Sequence, residues 1–157
     1  MAFENVVTQA RKSKSSKVLT NRSISHARHV IREMLEFGLE HEETVNIVSG
    51  SLNDECYSTI SDIVPKFNDK EIPIHVWVTD VPAENITNSF TNAIRESDTA
   101  TLNDFPNTSK IAPHFVVVGE QAYRLETDHK SAKAILCFND PSLAATLKRL
   151  VQTFSSH

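Results

Sequence analysis

Glycine is scarce, with three residues in 157. A loop that wraps a pyrophosphate needs several glycines close together, and neither GxGxxG nor GxxxxGK[ST] occurs. The GxSxG nucleophile elbow is missing as well. Cysteine is equally thin. Cys56 and Cys137 stand among apolar residues, in no CxxC or Cys/His ligand spacing. They read as core thiols, and a chain of this size needs no disulfide. No apolar run approaches the ~18 residues that span a bilayer. The first 20 residues contain no apolar leader stretch, so a cytoplasmic location without membrane contact is expected.

What is present describes an ordinary globular chain. Apolar residues make up 39% and charged residues 23%, a composition able to bury a core. The charge is unevenly spread. Residues 1–22 hold five basic residues against Glu4 alone, a net of +4. The remainder, with 11 basic and 19 acidic residues, carries −8. The stretch Lys12–Lys17 has no apolar residue to bury, so residues 1–22 are expected to form a basic flexible arm and residues 23–157 a single α/β domain. Arg11, Lys12, Lys14 and Lys17 make that arm a candidate for nucleic-acid contact. A solvated tail, or an arm docked on its own acidic body, is the simpler alternative.

Periodicity sets the order of elements. Ile24, Ala27, Val30, Ile31, Met34, Leu35 and Leu39 repeat at helical spacing over residues 24–40, with Ser23 or Ser25 as cap and Gly38 as a stop signal. Thr44–Val48 reads as a buried strand. Asn53 or Asp54 then caps a helix whose stripe is Cys56, Ile60, Ile63, Val64 and Phe67, with Pro65 disturbing its last turn. Ile74, Val76 and Val78 alternate in a second strand, and residues 83–95 form a weaker helix. Residues 97–112 read as loop with a short strand at Thr99–Leu102. His114–Val118 and Ala122–Leu125 make a hairpin about Gly119, and Ala134–Phe138 is a further strand. Asp140 and Pro141 open the last helix as N-cap and N1. A helix between the first two strands implies a parallel crossover. The fold class is therefore α/β, a mixed and mainly parallel sheet with helices on both faces.

Candidate chemistry gathers at a few polar positions. His114 starts a strongly apolar strand, where a sheet would end and a pocket open. Backbone satisfaction of a buried histidine is the plainer alternative. Arg124 and Glu126 share one face of the next strand, and the Arg fork suits a carboxylate or phosphate group. A structural ion pair there is the commoner outcome. Asp128, His129 and Lys130 follow in a loop, and Ser49 precedes a helix N-terminus, a place that can hold an anion. His26 and His29 share a helix face, but further ligands are lacking, so they read as surface histidines. No metal and no cofactor is expected.

The layout resembles one half of the phospholipase D superfamily. The residues that carry the resemblance are the strand ending Val48-Ser49-Gly50, the Val76-Trp77-Val78-Thr79-Asp80 strand, His114-Phe-Val-Val-Val-Gly119 opening a hairpin, and Ala134-Ile-Leu-Cys-Phe-Asn-Asp-Pro141 before the closing helix. The resemblance covers residues 24 to 155. It implies a mixed α/β sandwich, a His-x-Lys-x4-Asp motif in a strand–turn–strand, a phosphohistidine intermediate, and two motif copies meeting at one site in tandem halves or a homodimer. Laid on this sequence, His114 takes the histidine place, Val116 the lysine place and Gln121 the aspartate place. The downstream Gly-Ser-x-x-Asn element is missing. Valine cannot neutralise phosphate charge. The implied function is a non-catalytic, homodimeric binding or regulatory module for a protein or a phosphate-bearing ligand. The alternative is a divergent phosphodiesterase or nuclease using His114, with Arg124 or Lys130 supplying charge.

Overall fold

The computed structural model describes residues 2–106 and 113–155. Part of the 97–112 segment therefore lies outside the described residues. Among those described, seven strands form one sheet in the order β1-β7-β6-β5-β2-β3-β4. The strands are β1 (Leu19–Asn21), β2 (Val45–Ser49), β3 (Ile74–Val78), β4 (Ala100–Asp104), β5 (Phe115–Val118), β6 (Ala122–Asp128) and β7 (Lys133–Cys137). The helices are α1 (Phe3–Ser13), α2 (Ile24–His41), α3 (Asp54–Tyr57), α4 (Val64–Asp69), α5 (Ser89–Glu96) and α6 (Pro141–Ser155). A 3-10 segment, Ser58–Ile63, joins α3 to α4.

The sheet is mixed, as the alternation of elements implies, but its balance differs from expectation. β2–β3 and β3–β4 pair parallel, with Ile47 opposite Val76 and Val76 opposite Leu102. The other four pairings are antiparallel. The reason is connection length: only the helical crossovers through α3–α4 and α5 can return a strand parallel, whereas the hairpin turns after β5 and β6 reverse direction.

Strand alternation divides the apolar residues between two layers. Val45, Ile47, Val76, Val116 and Val118 face α2, whose Val30, Ile31, Met34 and Leu35 are fully or almost fully buried. Val48, Trp77, Phe115, Val117, Tyr123 and Cys137 face the other way, onto Ala144, Leu147, Val151 and Phe154 of α6. Cys56 and Cys137 are free, buried thiols.

Capping follows the residue types. Ser23 accepts from the His26 N–H, and Asp140 Oδ1 from the Leu143 N–H. Asn53 Oδ1 accepts from the Glu55 N–H at the entry to α3. Gly38 does not stop α2, which continues to His41 and closes on Glu42 in the left-handed region. Gly38 is needed for space instead: a Cβ there would stand 2.9 Å from Val45 Cγ2. At the β5–β6 turn Gly119 has φ +53, and a Cβ would strike the Glu43 carboxylate.

Residues 2–22 are not a flexible arm. Ordered structure begins at Phe3 rather than Ser23. Val7 of α1 is fully buried against α2, Thr8 donates to Glu33 at 2.9 Å, and Phe3 stacks on His26 with ring centroids 4.1 Å apart. β1 pairs antiparallel with β7, Thr20 opposite Ile135. Arg11 forms ion pairs with Glu33 and Glu40 of α2. The positive charge that marked the segment as an arm is partly what docks it on the acidic body. Deleting residues 1–22 is expected to lower the unfolding free energy by at least about 3 kcal/mol, through lost apolar burial and unpaired buried donors. Chemical denaturation of the two proteins measures this; equal midpoints would return the segment to a free arm.

Candidate functional site

β5 runs antiparallel to β2, so its first residues lie beside the carboxyl end of β2, where an open α/β sheet places its ligands. His114 immediately precedes β5, two residues before Val116, and sits on the α2 side of the sheet. The Glu126 N–H donates to the His114 carbonyl at 3.0 Å, fixing β6 against β5 at this end. The same register sets Arg124 opposite Val116. A cavity of about 290 Å³ opens here. Its lining includes Ser49, His114, Arg124, Glu126, His129 and Lys130. Six positions scattered over the sequence thus meet at one cavity.

His114 is bonded at both ring nitrogens. Nδ1 lies 3.1 Å from Glu126 Oε2 and 2.9 Å from His129 Nδ1; Nε2 lies 3.2 Å from Thr79 Oγ1. The Thr79 hydroxyl has one proton and a carboxylate acceptor, Asp80 Oδ1, at 2.9 Å. The Ser49 carbonyl, 3.4 Å from the same hydroxyl, is a second acceptor, and the Glu126 carboxylate at Nδ1 favours an imidazole proton on that nitrogen. Gly50 allows this packing, since a Cβ there would lie 2.5 Å from Asp80 Oδ2 and 3.3 Å from His114 Cε1.

Arg124 is buried, and its donors are fixed. Nε donates to Asn21 Oδ1 at 3.1 Å and one terminal nitrogen to the Ala132 carbonyl at 3.0 Å. The other terminal nitrogen stands 3.9 Å from Glu126 Oε1 and keeps its N–H groups for the cavity. Burial alone would push the Glu126 carboxyl up, but hydrogen bonds from His114 and His129 and the Arg124 charge outweigh it and hold it below the usual carboxylate range. Burial pushes the Cys56 thiol and the Tyr57 phenol, both at the cavity wall, above their ordinary values.

Other expectations land elsewhere. The Ser49 hydroxyl accepts from the Leu52 N–H, closing the turn before α3 on itself. Asp128 ends β6 rather than lying in the loop. Gln121 donates to Glu43 at 2.9 Å, far along the hairpin from His114. His26 and His29 fasten α1 to α2, His29 Nε2 lying 3.1 Å from the Glu4 carbonyl. Of the basic residues proposed for nucleic acid, Arg11 is neutralised on α2, while Lys12, Lys14 and Lys17 remain exposed. Thr79, Asn21 and Ala132 were not singled out by the sequence. Nothing local marks them, because each matters only through a partner at least 8 residues away in sequence.

No protein-family model matches the sequence, and no curated protein matches it. Solved structures do. TrmBL2, an archaeal chromatin protein described as showing a novel mode of DNA binding, superposes with a TM-score of 0.66 at 13% identity over 92% of this chain and 54% of its own. The chain thus spans about half the length of that protein. Nuc of Salmonella typhimurium, a phospholipase D family member, gives 0.60 at 10% identity, covering 89% of this chain and 94% of that one. Phosphatidylserine synthase of Haemophilus influenzae gives 0.53 at 12% identity, over 85% and 36%. The fold is phospholipase D-like: a mixed sheet between helical layers. No helix among the described residues is long and apolar enough to cross a membrane.

Arg124 is expected to be the most sensitive position of the site. Arg124→Met should lose about 3 kcal/mol of stability, because it strips partners from Asn21, Ala132 and Glu126 inside the protein. Arg124→Lys should recover only part of that, since an ammonium lacks the planar fork. Urea unfolding of both variants tests this, and a neutral Arg124→Met would show that the network carries no weight.

Proposed function

We propose that this chain is a phospholipase D-like binding module that holds a small phosphate-bearing ligand in the cavity beside His114 without cleaving it. The observation that carries this reading is what stands where the motif would put its lysine and aspartate. Val116, at the lysine place, is buried in the core. Gln121, at the aspartate place, is turned to Glu43. Anion binding draws on the remaining Arg124 donors and on Lys130, both at the cavity.

A second reading, a divergent phosphodiesterase, is supported by one feature. Arg124 stands directly across the ladder from Val116, so a cation reaches the same face of the hairpin from the neighbouring strand. With the imidazole proton on Nδ1, Glu126 would steady Nδ1–H and leave Nε2 as nucleophile. Hydrolysis of a generic phosphodiester and of single- and double-stranded DNA, by wild type and by His114→Ala, separates the two. No turnover by either folded protein is the expected result; turnover that disappears in His114→Ala would make the chain an enzyme.

The family resemblance also supports a homodimer. Light scattering at high protein concentration should report twice the 17.6 kDa chain mass; a monomer throughout would remove the dimer from the proposal.

A further inference from the structure

Three ligand atoms converge at the mouth of the cavity. His114 Nδ1, His129 Nδ1 and Glu126 Oε2 form a triangle with sides of 2.9, 3.1 and 3.1 Å. Hydrogen bonds cannot satisfy all three sides. If both Nδ1 atoms carry protons and donate to Glu126, the two N–H groups confront each other across 2.9 Å. If only one is protonated, the other presents its lone pair to a carboxylate oxygen. A cation at the centre of the triangle relieves every side at once.

We propose that His114, Glu126 and His129 form a binding site for a divalent transition-metal ion, with Zn²⁺ the best match. Two imidazoles and one carboxylate suit such an ion and not Mg²⁺ or Ca²⁺, which take oxygen ligands. Metal–ligand bonds of about 2.0–2.2 Å in a tetrahedral shell require ligand separations of about 3.3–3.5 Å. The atoms must therefore spread by a few tenths of an ångström. His129 provides that movement, since it lies on the β6–β7 turn with its side chain 61% exposed. The other two ligands are held more firmly, each with 14% of its side chain exposed. Thr79 fixes the His114 ring through its second nitrogen, the usual outer support of a metal-binding histidine. Arg124 opposes a nearby cation, but it faces Glu126 Oε1, while Oε2 is the atom in the triangle. Three protein ligands leave an open coordination position, so a phosphate or carboxylate oxygen in the cavity can reach the metal and Arg124 together.

This inference does not depend on whether the cavity binds without cleaving, because metal occupancy is read without any activity. The test is calorimetric titration of the full-length protein with Zn²⁺ alone. One equivalent should bind, and His129→Ala should weaken binding by about tenfold or more. His129 is exposed, so this variant is expected to fold, and a thermal melt in chelator checks that it does. Thr79→Val should weaken Zn²⁺ binding by about tenfold through loss of the outer support. His41→Ala, remote from the triangle, should bind as wild type does. Absence of saturable one-to-one binding by wild type would overturn the proposal. So would binding that survives both His129→Ala and Glu126→Gln unchanged.

Discussion

A guanidinium enclosed in protein needs acceptors, and Arg124, with 4% of its surface exposed, finds them for Nε and one terminal nitrogen and an opposite charge for the other. Its partners come from places the chain would otherwise have no reason to bring together. Asn21 arrives on the edge strand β1, Ala132 on the β6–β7 turn, and Glu126 two residues along β6. Asn21 also donates to the Ala132 carbonyl at 2.7 Å, so the N-terminal strand and the turn share one oxygen. Orientation of Glu126 then sets His114 and, through it, Thr79 at the end of β3. The cavity wall is the outer edge of this single charge-satisfying network.

Much of the fold could be read from local pattern. α2 and α6 show helical spacing because each packs one stripe against one sheet face. β5 is apolar on both faces, and β2 and β3 on one with Val48 and Trp77 on the other, because both faces of the sheet are covered, by α2 and α3–α5 on one side and by α6 on the other. The N-terminal segment was illegible for the opposite reason. Its stability lies in long-range partners: Thr8 and Arg11 on Glu33, Asn21 on Arg124. Read alone, Lys12–Lys17 is a solvated charge run, and nothing in it announces the strand that follows two residues later. The excess of antiparallel pairing was likewise hidden, since a strand's own sequence does not name its neighbour.

The site shows the same division. His114 was visible as a polar residue at the head of an apolar strand, and Glu126 as the partner of Arg124 by alternation. Their meeting across the hairpin follows from the register that puts Val116 opposite Arg124. Gly119 fixes that register by accepting a left-handed turn. His129 reaches the pair from the β6–β7 turn, past an irregularity in β6 between Glu126 and Asp128.

The one tryptophan of the sequence lies on the face away from the cavity. Trp77 is 6% exposed and meets the edge of Phe154 on α6, with ring centroids 5.8 Å apart. Emission excited selectively from this indole is consequently centred on the α6 layer, and an unlabelled sample reports directly how closely that single helix is seated on the sheet.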